Sequence, residues 1–167
     1  AIIYELHIRD FTISPTSGVT NKGKFLGVVE EGTLSVNGDR TGLDYLKELG
    51  VSHVQILPMA DFYTVNELKP LEQYNWGYDP QNFNVPEGSY ATNPYQPEVR
   101  ILEMKEMIQG LHDAGIRVIM DVVYNHVYLP KLHALEKTVP GYYFRRNEDG
   151  TLCNGTGVGN DTASERF

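Results

Sequence analysis

The 167 residues have room for one domain of ordinary size, and a composition of 41% hydrophobic and 22% charged residues fits a folded rather than a disordered chain. A net charge of −8 argues against nucleic acid as a partner, because phosphate binding draws on clustered Lys and Arg. One cysteine, Cys153, excludes an internal disulfide framework and any multi-cysteine metal site, and no apolar run approaches the roughly 18 residues of a membrane span.

Ala1–Ile8 (AIIYELHI) opens abruptly in strand-forming residues, which suggests excision from a longer chain. No signal peptide opens the stretch. Residues 14–40, rich in Gly, Ser, Thr and Asn, read as a long loop with one helical turn near Gly27–Glu31. Thr41–Gly50 is a short helix with a Leu43, Leu46 and Leu49 stripe, closed by Gly50 where a C-terminal cap belongs. Val51–Pro58 (VSHVQILP) is the second strand, so the unit is β-α-β with a right-handed crossover expected.

Met59 to Pro97 is dense in Pro, Asn, Tyr and Gly and reads as a functional loop rather than a mere connection. Glu98–Ala114 is the clearest helix: Ile101, Met104, Ile108 and Leu111 recur at spacings of three and four, and Gly115 terminates it. Gly115–Val123 then forms the third strand, its near-continuous apolar run pointing to a parallel sheet covered on both faces. Asp121 inside that run needs a partner. Asn125 and His126 follow at its carboxyl end, where ligands sit in parallel α/β folds; the competing reading makes Asp121 a loop cap and His126 a surface histidine. Beyond Pro130 come a short helix through Lys137 and a Gly/Asn-rich tail whose acids, Glu148, Asp149, Asp161 and Glu165, read as solvated loop charges.

Within the second loop, Tyr74-Asn75-Trp76-Gly77-Tyr78-Asp79-Pro80 sets three aromatics beside an amide and an acid. A pyranose needs such a set, since its faces are apolar and its rim is hydroxyls; an aromatic plug packed on the core is the alternative. Other chemistries fare worse. No HExxH or Cys/His spacing suggests zinc, His7, His53, His112 and His133 are scattered, and the glycines of Gly155–Gly159 follow no strand and open no helix. Two sequons, at Asn154 and Asn160, matter only in a glycosylating secretory route.

YNWGYDP followed by DVVYNH resembles the α-amylase superfamily of glycoside hydrolases (family 13), and the first motif is similar to that of type I pullulanases, which hydrolyse α-1,6-glucosidic links. IIYELHIRDFT, VSHVQILP and GIRVIMDVVYNH resemble the first three barrel strands of that family. The resemblance implies that residues 1–167 are the N-terminal portion of a partial TIM (β/α)8 barrel: three parallel strands with long strand-to-helix loops. It implies that His126 hydrogen-bonds the sugar at the cleaved bond and that Tyr78 stacks beneath that sugar; Asn75 and Trp76 are expected to bind substrate, and Asp79 to fix the loop or contact the sugar. Asp121 is implied to be structural, and no cofactor is implied. The Asn matching Asn125 ligates calcium in α-amylases, but no calcium site is claimed for this chain. The expected partners are an α-glucan (pullulan, branched starch or glycogen) and the remainder of the barrel.

The family's catalytic carboxylates come from later strands, so none is expected here and the chain alone is expected to be inactive. An isoamylase, branching enzyme or α-amylase remains an alternative within the superfamily, as does a glucan-binding or scaffold module of another class. Localisation stays open between a cytoplasmic and a secreted bacterial protein.

Overall fold

The computed structural model describes residues 1–70 and 72–166. Its frame is a three-stranded parallel sheet of β1 (Ile3–Leu6), β2 (His53–Ile56) and β5 (Arg117–Met120), with β2 in the middle. The register pairs Leu6 with Ile56 and Ile56 with Met120, so the three carboxyl ends lie level. Each crossover carries a helix: α3 (Gly42–Leu49) between β1 and β2, and α4 (Pro97–Asp113) before β5. Gly50 ends α3 at φ +68°, the left-handed conformation that favours glycine.

Two further short helices, α1 (Ile8–Thr12) and α2 (Phe25–Val28), follow β1. The core lies between the sheet and the helices, with Phe25, Val28, Leu46, Val54, Ile56, Met107 and Leu111 fully buried. The helical turn expected near residues 27–31 is present slightly earlier, as α2.

The segment read as one long loop after β2 is more ordered than its composition suggested. It contains an antiparallel pair, β3 (Ala60–Phe62) with β4 (Pro80–Pro86), and a 3-10 turn over Gly88–Tyr90. Neither strand shows a regular alternation, because register shifts interrupt the ladder at Asp61.

Two packing expectations need correction. Among the described residues, the run Gly115–Val123 is not covered on both faces: β5 lies at the edge of the sheet, is four residues long, and leaves Met120 47% exposed and Val118 and Ile119 half-buried. The α4 stripe is also rotated, since Glu103, Met107 and Leu111 are buried while Ile101 is 44% exposed. Glu103 can take an inward position because its carboxylate accepts the Thr92 N–H (2.8 Å) and the Thr92 hydroxyl.

Behind the β3–β4 pair sit three carboxylates, Asp61, Glu67 and Glu87, with oxygens within 4.8 Å of one another. Arg100 on α4 grips Glu67 bidentately at 2.8 and 2.6 Å, while Glu87 accepts the N–H groups of Phe62 (3.1 Å) and Ser89 (2.7 Å). Burial pushes the Glu87 carboxyl up to about 7 against the opposing pull of those N–H donors. An acid whose folded value lies above its unfolded one stabilises the fold at low pH, and this contribution disappears as pH rises from about 4.5 to about 7. Glu87→Gln is therefore predicted to gain stability relative to the parent across that window, by an amount on the order of 3 kcal/mol. Denaturant unfolding of both proteins at pH 5 and pH 7.5 checks this. A difference between them that does not change with pH would contradict it.

Candidate functional site

Beyond the carboxyl ends of the strands, the loop after β2 and the segment after β5 meet at Tyr78. The Tyr78 hydroxyl donates to Asp121 Oδ2 at 2.7 Å, and the Tyr78 carbonyl accepts from His126 Nε2 at 2.9 Å. One residue is thus held at its main chain and at the far end of its ring by two groups of the DVVYNH segment. The carboxylate that the sequence left needing a partner finds it here. His126 is buried, which removes the surface-histidine reading, and its Nδ1 faces the Asn125 side-chain amide at 3.0 Å.

Desolvation, and then the adjoining Asp121 carboxylate, pushes the Tyr78 hydroxyl up to about 12. Tyr78 is nonetheless 41% exposed. Its tip is fixed while its body is left to solvent.

The rest of the motif holds its own shape. Asn75 Oδ1 accepts the Gly77 N–H (2.6 Å), and its amide nitrogen donates to Asp79 Oδ1 and Thr64 Oγ1, both at 2.5 Å. Asp79 Oδ2 accepts from the Thr64 hydroxyl (2.8 Å) and N–H (3.2 Å). Asn75, expected from the sequence to bind substrate, and Asp79, expected to fix the loop or contact the sugar, thus have their polar atoms engaged within the loop. Gly77 lies against the end of β2 at φ +92°, where an added Cβ would come within 2.4 Å of the Pro58 carbonyl oxygen. Only glycine fits there without the loop lifting away.

Closed on itself in this way, the loop presents Tyr74, Trp76 and Tyr78 around an open cleft completed by Thr64, Asp79 and Tyr128. Trp76 is 63% exposed and Tyr74 47%. The aromatic-plug reading requires buried rings, and these are at the surface. Tyr74 is itself tied down, its hydroxyl donating to Asp10 Oδ2 (2.8 Å) with the Arg9 guanidinium 5.5 Å from its ring centre. Beneath it, buried His7 donates from Nε2 to the Asn75 carbonyl (2.9 Å) and accepts the Asp10 N–H at Nδ1. Burial holds the His7 imidazole below its usual value, in keeping with a neutral ring.

Sequence reasoning treated His7 as incidental and did not single out Tyr63 or Tyr128, which form a stacked pair with ring centres 4.9 Å apart. The signal for Tyr128 was its place two residues after His126. Tyr63 had no signal of its own, because its role depends on the unforeseen β3–β4 pairing.

The tail corrects another expectation. Asp161 is not a solvated charge but buried, accepting the N–H groups of Gly155 (2.8 Å) and Thr156 (3.0 Å) and the Thr156 hydroxyl (2.8 Å). These bonds hold its carboxyl below the usual range, and they occupy main-chain donors that a phosphate loop would need. Asn160, in the second sequon, is buried and hydrogen-bonded through its side chain to both main-chain groups of Val127.

A family model described as alpha amylase, catalytic domain, matches residues 11–141. The chain is 58% identical over 166 residues to a pullulanase of Bacillus subtilis (strain 168), covering 99% of this chain and 23% of that protein. Among solved structures, the pullulanase of Anoxybacillus sp. LM18-11 complexed with maltotetraose superposes with a TM-score of 0.97 at 58% identity, covering 99% of this chain and 24% of that one. The pullulanase of Paenibacillus barengoltzii in complex with maltohexaose and alpha-cyclodextrin gives 0.96 at 58% identity, covering 99% and 26%. The chain thus spans about a quarter of the length of these relatives. The superpositions match the expected fold class, in which β1, β2 and β5 are three parallel strands of a (β/α)8 barrel carrying long strand-to-helix loops.

Two outcomes follow from the Tyr78 geometry. Asp121→Asn is expected to bring the Tyr78 hydroxyl down from about 12 toward its ordinary value near 10, as read by pH titration of ring-labelled tyrosine NMR signals. A Tyr78 signal titrating unchanged in the variant would show that Asp121 does not act on it. Gly77→Ala should cost on the order of 2 kcal/mol or more from the positive φ and the Pro58 contact. Thermal unfolding of the variant checks this, and a melting temperature equal to the parent's would contradict it.

Proposed function

This chain belongs to the alpha-amylase catalytic-domain family, and from that membership we propose that residues 1–167 carry the first three strands of a debranching hydrolase that cleaves α-1,6-glucosidic links in branched α-glucans. The observation that carries the reading is the clasped, outward-facing Tyr78 in an aromatic cleft at the strands' carboxyl ends, in a chain 58% identical to a pullulanase.

Tyr78 offers its ring face to the sugar at the bond to be cleaved, with Trp76 as a second apolar surface. His126 holds the Tyr78 main chain and shares its Nε2–H with a sugar hydroxyl when one is bound. Asn125 orients the His126 ring, Asp121 fixes the Tyr78 hydroxyl, and Asn75 and Asp79 hold the loop in shape. The partners are an α-glucan such as pullulan, branched starch or glycogen, and the remaining strands of the barrel.

Hydrolysis with retention takes two carboxyl groups roughly 5–5.5 Å apart, one as nucleophile and one as acid/base. The acids beside the cleft are both committed to hydrogen bonds that shape it. Asp79 is engaged with Thr64 and Asn75, and Asp121 accepts from Tyr78. In this reading the chain positions the sugar, and the reacting carboxylates come from the segment that follows it in the parent protein.

Reducing-sugar release from pullulan tests the proposal. The full-length protein is expected to turn over, and the isolated 167-residue chain to release nothing. In the full-length protein, Tyr78→Ala should lower kcat/KM about fivefold or more, the equivalent of a stacking contribution near 1 kcal/mol. His126→Ala should lower kcat/KM by more than its effect on thermal stability accounts for. Turnover by the isolated chain would show that the reacting acids lie within it. A fall in melting temperature with unchanged kinetics in both variants would assign Tyr78 and His126 to packing alone.

A further inference from the structure

We infer that the Tyr63–Tyr128 pair is a second glucose-stacking platform, which extends the Tyr78 cleft and gives the protein a preference for longer α-glucan chains. The inference rests on the sugar-binding reading of the Tyr78 cleft and adds a position to it. Three observations carry it.

First, Tyr128 lines the cleft that holds Trp76 and Tyr78, and with Tyr63 it also lines an adjoining cleft. Tyr128 is therefore the wall the two clefts share, with Tyr63 stacked against it in the second. Second, both residues keep substantial solvent exposure, 45% for Tyr63 and 43% for Tyr128, although their rings are stacked at 4.9 Å and 26°. Each thus retains apolar surface for a further ring.

Third, the pair is fixed to the same segment as Tyr78. The Tyr63 N–H donates to the Asp79 carbonyl (3.1 Å) and the Tyr128 N–H to the Pro80 carbonyl (3.0 Å). Two consecutive carbonyls of the YNWGYDP segment thus set the height of the platform relative to Tyr78. A platform held in register costs little ordering when a ligand arrives.

The second cleft also has the mixed character that a pyranose demands. Leu132 supplies apolar surface, while Gln81 and Lys137 stand at its wall as hydrogen-bonding groups for hydroxyls. A neutral, hydroxyl-rimmed ring extended along a chain fits both clefts without a net charge in the ligand. A continuous α-glucan strand lying over Tyr78 and Tyr128 is the occupant this arrangement specifies.

The test is calorimetric binding of maltotriose and maltohexaose to the full-length protein, with pullulan hydrolysis measured alongside. The parent is expected to bind the hexasaccharide more tightly than the trisaccharide. Tyr128→Ala should narrow that preference threefold or more, and Tyr63→Ala should narrow it in the same direction by removing the support under Tyr128. Tyr78→Ala should weaken both ligands alike. Tyr95→Ala, an exposed tyrosine away from both clefts, should match the parent with either ligand.

A Tyr128→Ala protein that keeps the parent's hexasaccharide preference overturns the platform, as does one that loses both affinities equally. So does a parent that binds neither oligosaccharide or shows no length preference. Loss of the preference in Tyr128→Ala, in a parent that binds but does not hydrolyse pullulan, would sustain the platform while removing the hydrolase reading. The two proposals therefore fail separately.

Discussion

The candidate site depends on one residue being held from both ends. Tyr78 sits on a loop that leaves β2 and returns far along the chain, and left alone its ring would be free to turn into solvent. The Asp121 carboxylate fixes its hydroxyl and the His126 ring fixes its carbonyl, both from the segment that follows β5. Because β2 and β5 are neighbours in the sheet with level ends, the two motifs meet without a long reach. The bond to Asp121 is a hydrogen bond to a charged acceptor, among the stronger kinds available to a partly exposed side chain.

Everything else in the loop supports an apolar surface that faces water. Exposed aromatics gain little from the folding of the chain itself, so their positions must come from polar groups behind them. Asn75, Asp79 and Thr64 close the turn, Gly77 lets it press against Pro58, and His7 bonds the Asn75 carbonyl from the end of β1. Behind the β3–β4 pair, Glu87 ties the end of β3 to the 3-10 turn after β4, and the Arg100–Glu67 pair ties the segment between the two strands to α4. The resulting fixation suits the sugar-binding role proposed for this shallow cleft, since ring stacking contributes only about 1 kcal/mol per contact and is readily lost to mobility.

Much of this was legible in the residues, for reasons that differ by element. Strand and helix order followed from apolar runs, helical spacing and the punctuating Gly50 and Gly115, all local signals. That Asp121 needs a partner followed from the cost of a carboxylate in an apolar run, but the identity of that partner did not, because Tyr78 lies 43 residues away. The β3–β4 pair was missed since its strands are short, contain Pro80 and Pro86 and are broken by register shifts. Likewise Asp161 looked like a surface acid, because nothing in a Gly-rich tail announces that its N–H groups converge on one carboxylate. The burial expected of β5 was a statement about a sheet with strands on both sides, and among the described residues β5 has β2 alone beside it.

Tyr78 and Asp121, joined by their hydrogen bond, act as a unit in shaping the cleft proposed to bind sugar. A double-mutant cycle of Tyr78→Phe and Asp121→Ala, read out as maltohexaose affinity of the full-length protein, tests it directly. Either change alone is expected to weaken binding, and the double variant to be no worse than the more damaging single one, a coupling on the order of 1 kcal/mol. Fully additive losses would contradict it, because they would mean that the hydroxyl and the carboxylate contribute to the cleft independently of each other.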